Sequence, residues 1–140
     1  MATRAELITQ TQKKVDTYSD FPNSFSTHPV TSELLVLKNE DSIKQAIKNA
    51  ILTDVGERFF NPYYGSGIRK VLFENFGPFM EEEITRHINL TVNQFEPRAN
   101  ILNVEAIENE DNGVLTINIV FSTINNPTPV LFSIFLRRVR

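Results

Sequence analysis

Cysteine is absent from this 140-residue chain, which excludes disulfides and thiolate metal sites and fits a reducing compartment. No apolar run reaches the length of a membrane span, and the opening Met1-Ala2-Thr3-Arg4-Ala5-Glu6 lacks the apolar core of a signal peptide. A soluble intracellular protein without a membrane partner is therefore expected. Basic charge is also short: 14 Lys and Arg stand against 17 Asp and Glu, for a net charge of −3. Nucleic-acid binding needs a basic face that releases counterions, and the only basic cluster is the terminal Arg137-Arg138-Val139-Arg140, so no nucleic-acid partner is expected.

The signatures of catalysis are missing as well. The chain has no Gly-x-Ser-x-Gly, no His-Glu-x-x-His and no cysteine nucleophile. Gly65-Ser66-Gly67 follows no hydrophobic strand and has no third glycine in register, which argues against a nucleotide. Glu81, Glu82 and Glu83 are adjacent, so on a helix they fan out rather than converge on a metal, and His87 pairs with Glu83 at i+4. Glu57 and Glu96 could be cast as the two carboxylates of a glycoside hydrolase. Each has an arginine within two positions, which favours the ionised form over a general acid. The expectation is no catalytic residue, no cofactor and no metal.

What is present is enough chain for one domain that buries roughly two thirds of its extended surface. Residues 1 to 32 are polar and punctuated by Pro22, Asn23-Ser24 and His28-Pro29. They read as an N-terminal arm, either lying on a neighbour or loosely packed, with helical turns in 4 to 15 and a short strand or extended piece at Thr17 to Phe21. Residues 33 to 140 read as a single domain. Leu34 to Leu37 reads as a short strand or an extended segment docking on the core. Asn39-Glu40-Asp41-Ser42 then supplies caps and early negative charge for a helix. Ile43, Ala46, Ile47, Ala50 and Ile51 make its apolar stripe, and Gly56 lies just beyond its end near Thr53.

The loop from Gly56 to Gly67 carries four aromatics in six residues (Phe59, Phe60, Tyr63, Tyr64), too many to leave in water, and it is expected to cover apolar surface as a lid on the core or on a partner. A short helix, Ile68 to Asn75, should bury Ile68, Val71, Leu72 and Phe73. Gly77-Pro78 breaks the chain, with Pro78 suited to the first turn of a helix whose stripe is Ile84, Ile88, Val92 or Thr91, and Phe95. Proline at 97 ends that helix at Glu96. At this corner Glu96 and Arg98 stand two residues apart, each expected to bond to backbone or to a partner chain rather than to the other.

From Ile101 the period becomes 2. Leu102, Val104 and Ala106, then Leu115, Ile117, Ile119 and Phe121 after the turn at 109–113, describe a hairpin with one face on the helices. After Asn125-Asn126-Pro127-Thr128-Pro129, the last strand is apolar on both faces: Val130, Phe132, Ile134 and Leu136 on one, Leu131, Phe135 and Val139 on the other. Either local loops cover the second face, or something outside the domain does. A terminal edge strand also offers backbone groups that a partner completes by strand addition. The fold class is α+β, with helices on one face of an antiparallel C-terminal sheet of about three to four strands.

Ser42-Ile43-Lys44-Gln45-Ala46-Ile47, Asn61-Pro62-Tyr63-Tyr64-Gly65, Leu72-Phe73-Glu74-Asn75 and Phe95-Glu96-Pro97-Arg98, in that order, resemble the baseplate wedge family of contractile-tailed phages. That family extends to type VI secretion and related contractile injection systems. Tyr18-Ser19-Asp20 resembles its N-terminal segment, and the likeness runs over about residues 42 to 140. The resemblance implies a structural wedge subunit, six copies per baseplate, that presents a sheet like the sheath subunit's own and starts sheath assembly. It implies assembly in the host cytoplasm and residence in the virion tail baseplate. It makes Glu96, Pro97 and Arg98 the signature that contacts the wedge core bundle, with tail tube and hub proteins as neighbours. With it, Phe132, Ile134, Leu136 and Arg138 are expected to contact sheath subunits, the first three becoming buried when the first sheath ring docks. Family members have been called lysozyme-like, so a cell-wall hydrolase is the alternative reading, and an adaptor for an unrelated strand-donating peptide is a third.

Overall fold

Two apolar periodicities meet in the computed structural model, which describes residues 17–73, 77, 79–109 and 113–137. The 3.6-residue pattern gives α1 (Glu40–Leu52) and α3 (Met80–Phe95), with the four-residue α2 (Ile68–Val71) between them. The 2-residue pattern gives β3 (Ala99–Asn109), β4 (Val114–Thr123) and β5 (Asn126–Arg137), antiparallel in the order β3-β4-β5. Two short strands, β1 (Ser19–Asp20) and β2 (Leu37–Lys38), pair antiparallel ahead of α1. The α+β class is as the sequence reads, with three strands in the C-terminal sheet.

The core lies between the helices and one face of that sheet. Ile43, Ile47 and Ile51 of α1, Ile84, Ile88 and Val92 of α3, and Leu115, Ile117, Ile119 and Phe121 of β4 are all buried. Each such side chain contributes about 1.5–3 kcal/mol on leaving water. Register sets β4 as the spine: Ile117 stands between Ala106 and Ile134, and Ile119 between Val104 and Phe132. The Phe121 and Phe132 rings meet edge to face at 5.7 Å.

Five expectations about burial need correction. Leu102 is exposed while Ile101 packs on the core, because a bulge between Ile101 and Asn103 leaves Leu102 as the extra residue, turned outward. Phe73 is exposed because α2 stops at Val71 and Leu72 is its last buried residue. Ala46 and Phe95 are half-buried rather than core. The aromatic loop is no lid on the chain's own core: Phe59, Phe60 and Tyr63 stand in solvent. Its backbone closes on itself, Gly56 N–H donating to Pro62 O at 2.7 Å and Tyr64 N–H to Asn61 O at 3.1 Å, so these side chains splay away from the domain. Tyr64 alone of the four turns inward, against the Phe95 ring at 4.8 Å. The expectations for residues 4 to 15, for Glu74, Asn75 and Pro78, for the tip of the 109–113 turn and for Arg138 and Val139 lie outside the described residues.

β5 opens with Pro127 and Pro129 and pairs only with β4 among the described strands. Its inward residues Ile134 and Leu136 are core, whereas Leu131 and Phe135 on the opposite face are exposed.

Candidate interaction site

The corner after α3 is held by backbone first. Glu96 N–H donates to Val92 O at 2.8 Å, Ala99 N–H to Glu96 O, and Ile124 N–H to Arg98 O, both at 3.1 Å. The helix end, the start of β3 and the β4–β5 turn are thereby tied together. Proline at 97 cannot continue the helix, so the chain reverses within three residues.

Within that corner the acid and the base bond to each other, contrary to the sequence expectation. Arg98 Nε donates to Glu96 Oε1 at 2.5 Å and Nη2 to Oε2 at 2.6 Å. The two-residue spacing across the reversal presents the flat guanidinium edge to both carboxylate oxygens, the strongest geometry such a pair has. Glu96 is 4% exposed, while the Arg98 side chain keeps 36% of its surface in water. The arginine pKa is raised above its ordinary value, chiefly by the hydrogen bonds it donates to Glu96, with burial opposing. Glu96 is the internal strut; Arg98 and the exposed Pro97 are the outward part of the motif.

Tyr18, far off in sequence, completes the corner. Its ring lies 5.0 Å from the Arg98 guanidinium carbon, and its hydroxyl accepts a 3.0 Å hydrogen bond from Asn125 Nδ2. Asn39 positions it: Asn39 N–H donates to Tyr18 O at 2.8 Å, and Asn39 Oδ1 accepts from Thr17 N–H and Tyr18 N–H. The expected capping oxygen of α1 is thus turned to the N-terminal segment, and no side chain caps the helix. Nearby, Arg58 sits 3.8 Å over the Tyr64 ring. The Tyr18–Arg98 and Arg58–Tyr64 stacks were not readable from spacing; only the likeness of Tyr18-Ser19-Asp20 to the family segment marked Tyr18.

The other named residues fall elsewhere. Phe132 is half-buried on β5, and Ile134 (1%) and Leu136 (6%) are already enclosed by the chain's own helices. The expectation that these two become buried on docking is corrected. The face that docking would cover carries Leu131 and Phe135. Arg138 lies outside the described residues. Glu57 accepts the Asp54 N–H at 2.9 Å in the open loop, and His87 approaches Glu83 at 4.0 Å across one helical turn.

Residues 38–128 match the family model for the baseplate wedge protein gp25. The baseplate wedge protein gp25 of Enterobacteria phage T4 is 36% identical over 89 residues, spanning 64% of this chain and 67% of that protein. A putative tail lysozyme from Geobacter sulfurreducens superposes with a TM-score of 0.70 at 25% identity, over 76% of this chain and 97% of that one. A chain of the anti-feeding prophage baseplate gives a TM-score of 0.59 at 17% identity, over 84% and 83%. A chain of the postcontracted pyocin R2 baseplate gives 0.50 at 16%, over 79% and 97%. On this match the chain belongs to the baseplate wedge protein gp25 family.

Proposed function

We propose that this wedge protein links the wedge core to the tail sheath and templates sheath polymerisation by β-strand pairing along β5. The observation that carries the reading is β5 itself, paired on one side only among the described strands and showing Leu131 and Phe135 to solvent. An unpaired edge of this length adds strands readily. Its partners on this reading are sheath subunits on β5, and wedge core-bundle proteins at Pro97 and Arg98 with Glu96 behind them. Tail tube and hub proteins are its neighbours, with six copies per baseplate. Assembly takes place in the host cytoplasm and the protein stays in the tail baseplate.

No catalytic role is assigned. The Geobacter relative carries a lysozyme name, but here both oxygens of Glu96 are taken by Arg98 and Glu57 is tied to its own loop, so these two carboxylates do not form the facing pair that glycoside hydrolysis uses. A muramidase assay on the purified chain, with Glu57→Gln and Glu96→Gln as controls, separates the readings.

Deleting β5 would strip Ile134 and Leu136 from the core, so the informative change blocks the edge and spares the inner face. Ser133→Pro, two steps in phase from Pro129, removes an edge donor, and Phe135→Asp charges the outer face. Folded variants that enter baseplates yet give no sheath support the proposal; sheathed tails from both overturn it.

A further inference from the structure

Two clefts lie along the unpaired side of β5, and both are basic. One, about 410 Å³, is lined by Leu52, Leu72, Phe73, Phe135 and Leu136 together with Arg69 and Arg137. The other, about 390 Å³, lies between the 22–24 segment, α1 and β5, with Lys44 and Lys48 facing Phe132 and Ser133. Each cleft touches consecutive β5 residues that point to opposite faces of the sheet. Only the strand's open side gives access to both, because β4 fills the other side. Neither lining includes an aspartate or glutamate, in a chain whose net charge is −3.

Lys44 pairs with the exposed Asp41 at 3.1 Å, and the exposed Arg69 pairs with the half-buried Asp54 at 3.7 Å; pairs this open to water are weak and exchangeable. Lys48 and Arg137 have no ion pair among the described residues. A second copy pairing along β5 would bring these cations against their own kind, which disfavours self-association.

Resting on the strand-pairing reading, we infer that β5 selects an acidic partner strand. That strand carries two carboxylates about four residues apart, matching clefts separated by roughly 12 Å at the rise of an extended chain. One carboxylate meets Lys48 and the other Arg137. An apolar side chain beside the second enters the cleft walled by Phe73 and Phe135.

The test uses the full chain, isotope-labelled, titrated with three synthetic strands of about eight residues. All share one alternating Thr/Val sequence with a single Phe, and carry Glu, Gln or Lys at two positions four apart. The Glu strand should shift β5 amide signals with at least about tenfold tighter binding than the Lys strand, and lose that margin in high salt. The exposed double variant Lys48→Glu with Arg137→Glu should invert the preference. Equal affinities of the three strands, all acting at β5, would overturn the acidic selectivity and leave strand pairing intact. Amide shifts confined to other surfaces, or a dimer formed through β5, would overturn both.

Discussion

Arg98 holds both carboxylate oxygens of Glu96 across a chain reversal, with the acid inside and the base at the surface. Removing the arginine strands a buried carboxylate, and removing both charges does not. Arg98→Ala should therefore cost about 2–4 kcal/mol, and the double variant Glu96→Gln with Arg98→Ala distinctly less. Urea midpoints of the two proteins check this. Equal losses would mean that the unpaired Glu96 carboxylate adds no cost beyond the loss of the arginine side chain.

Gly65 leaves no room for a side chain. Its φ is +128°, and a Cβ there would stand 2.4 Å from the Thr53 carbonyl oxygen, an oxygen that also accepts the Ser66 N–H at 3.1 Å. Gly65→Ala should lower stability by about 2–4 kcal/mol, from strain plus the displaced loop. Thermal unfolding measures it, with Gly67→Ala, where a Cβ meets nothing within 4 Å, as the milder comparison.

The two faces of the sheet should respond differently to truncation. Ile117→Ala opens a cavity at the centre of the spine and should cost about 2–5 kcal/mol. Phe135→Ala on the exposed face of the neighbouring strand should stay within about 0.5 kcal/mol. A large loss at Phe135 would show that the chain itself covers that face.

Phe59 and Phe60 contribute no burial to the isolated chain. The double change to serine should leave the urea midpoint unmoved and raise the concentration at which the protein begins to aggregate, since exposed aromatics drive association. Light scattering against concentration reads the second effect.

Much of the scaffold is legible in the residue pattern because α1, α3 and β4 each bury one face against one core, the condition under which period reports structure. Leu102 escaped that logic. Ile101 and Leu102 are both apolar, so alternation fits either phase, and the bulge that decides between them leaves no mark in residue type. Phe73 was misplaced because the helical spacing runs past the point where α2 stops. At the corner the Glu-Pro-Arg spacing identified the residues, yet their mutual bond depends on how tightly the chain reverses after Val92. Tyr18 reaches Arg98 only through a fold that joins positions 80 apart, for which local spacing carries no information.

Pro127 and Pro129 have a consequence for timing as well as for shape. Neither has an amide hydrogen, so a chain pairing along β5 as proposed would find acceptors but no donors at these two positions, and would make full pairs only from Leu131 onward toward Arg137. On that reading the two imino acids would act as a phase marker, because a newcomer entering one notch early would meet missing rungs.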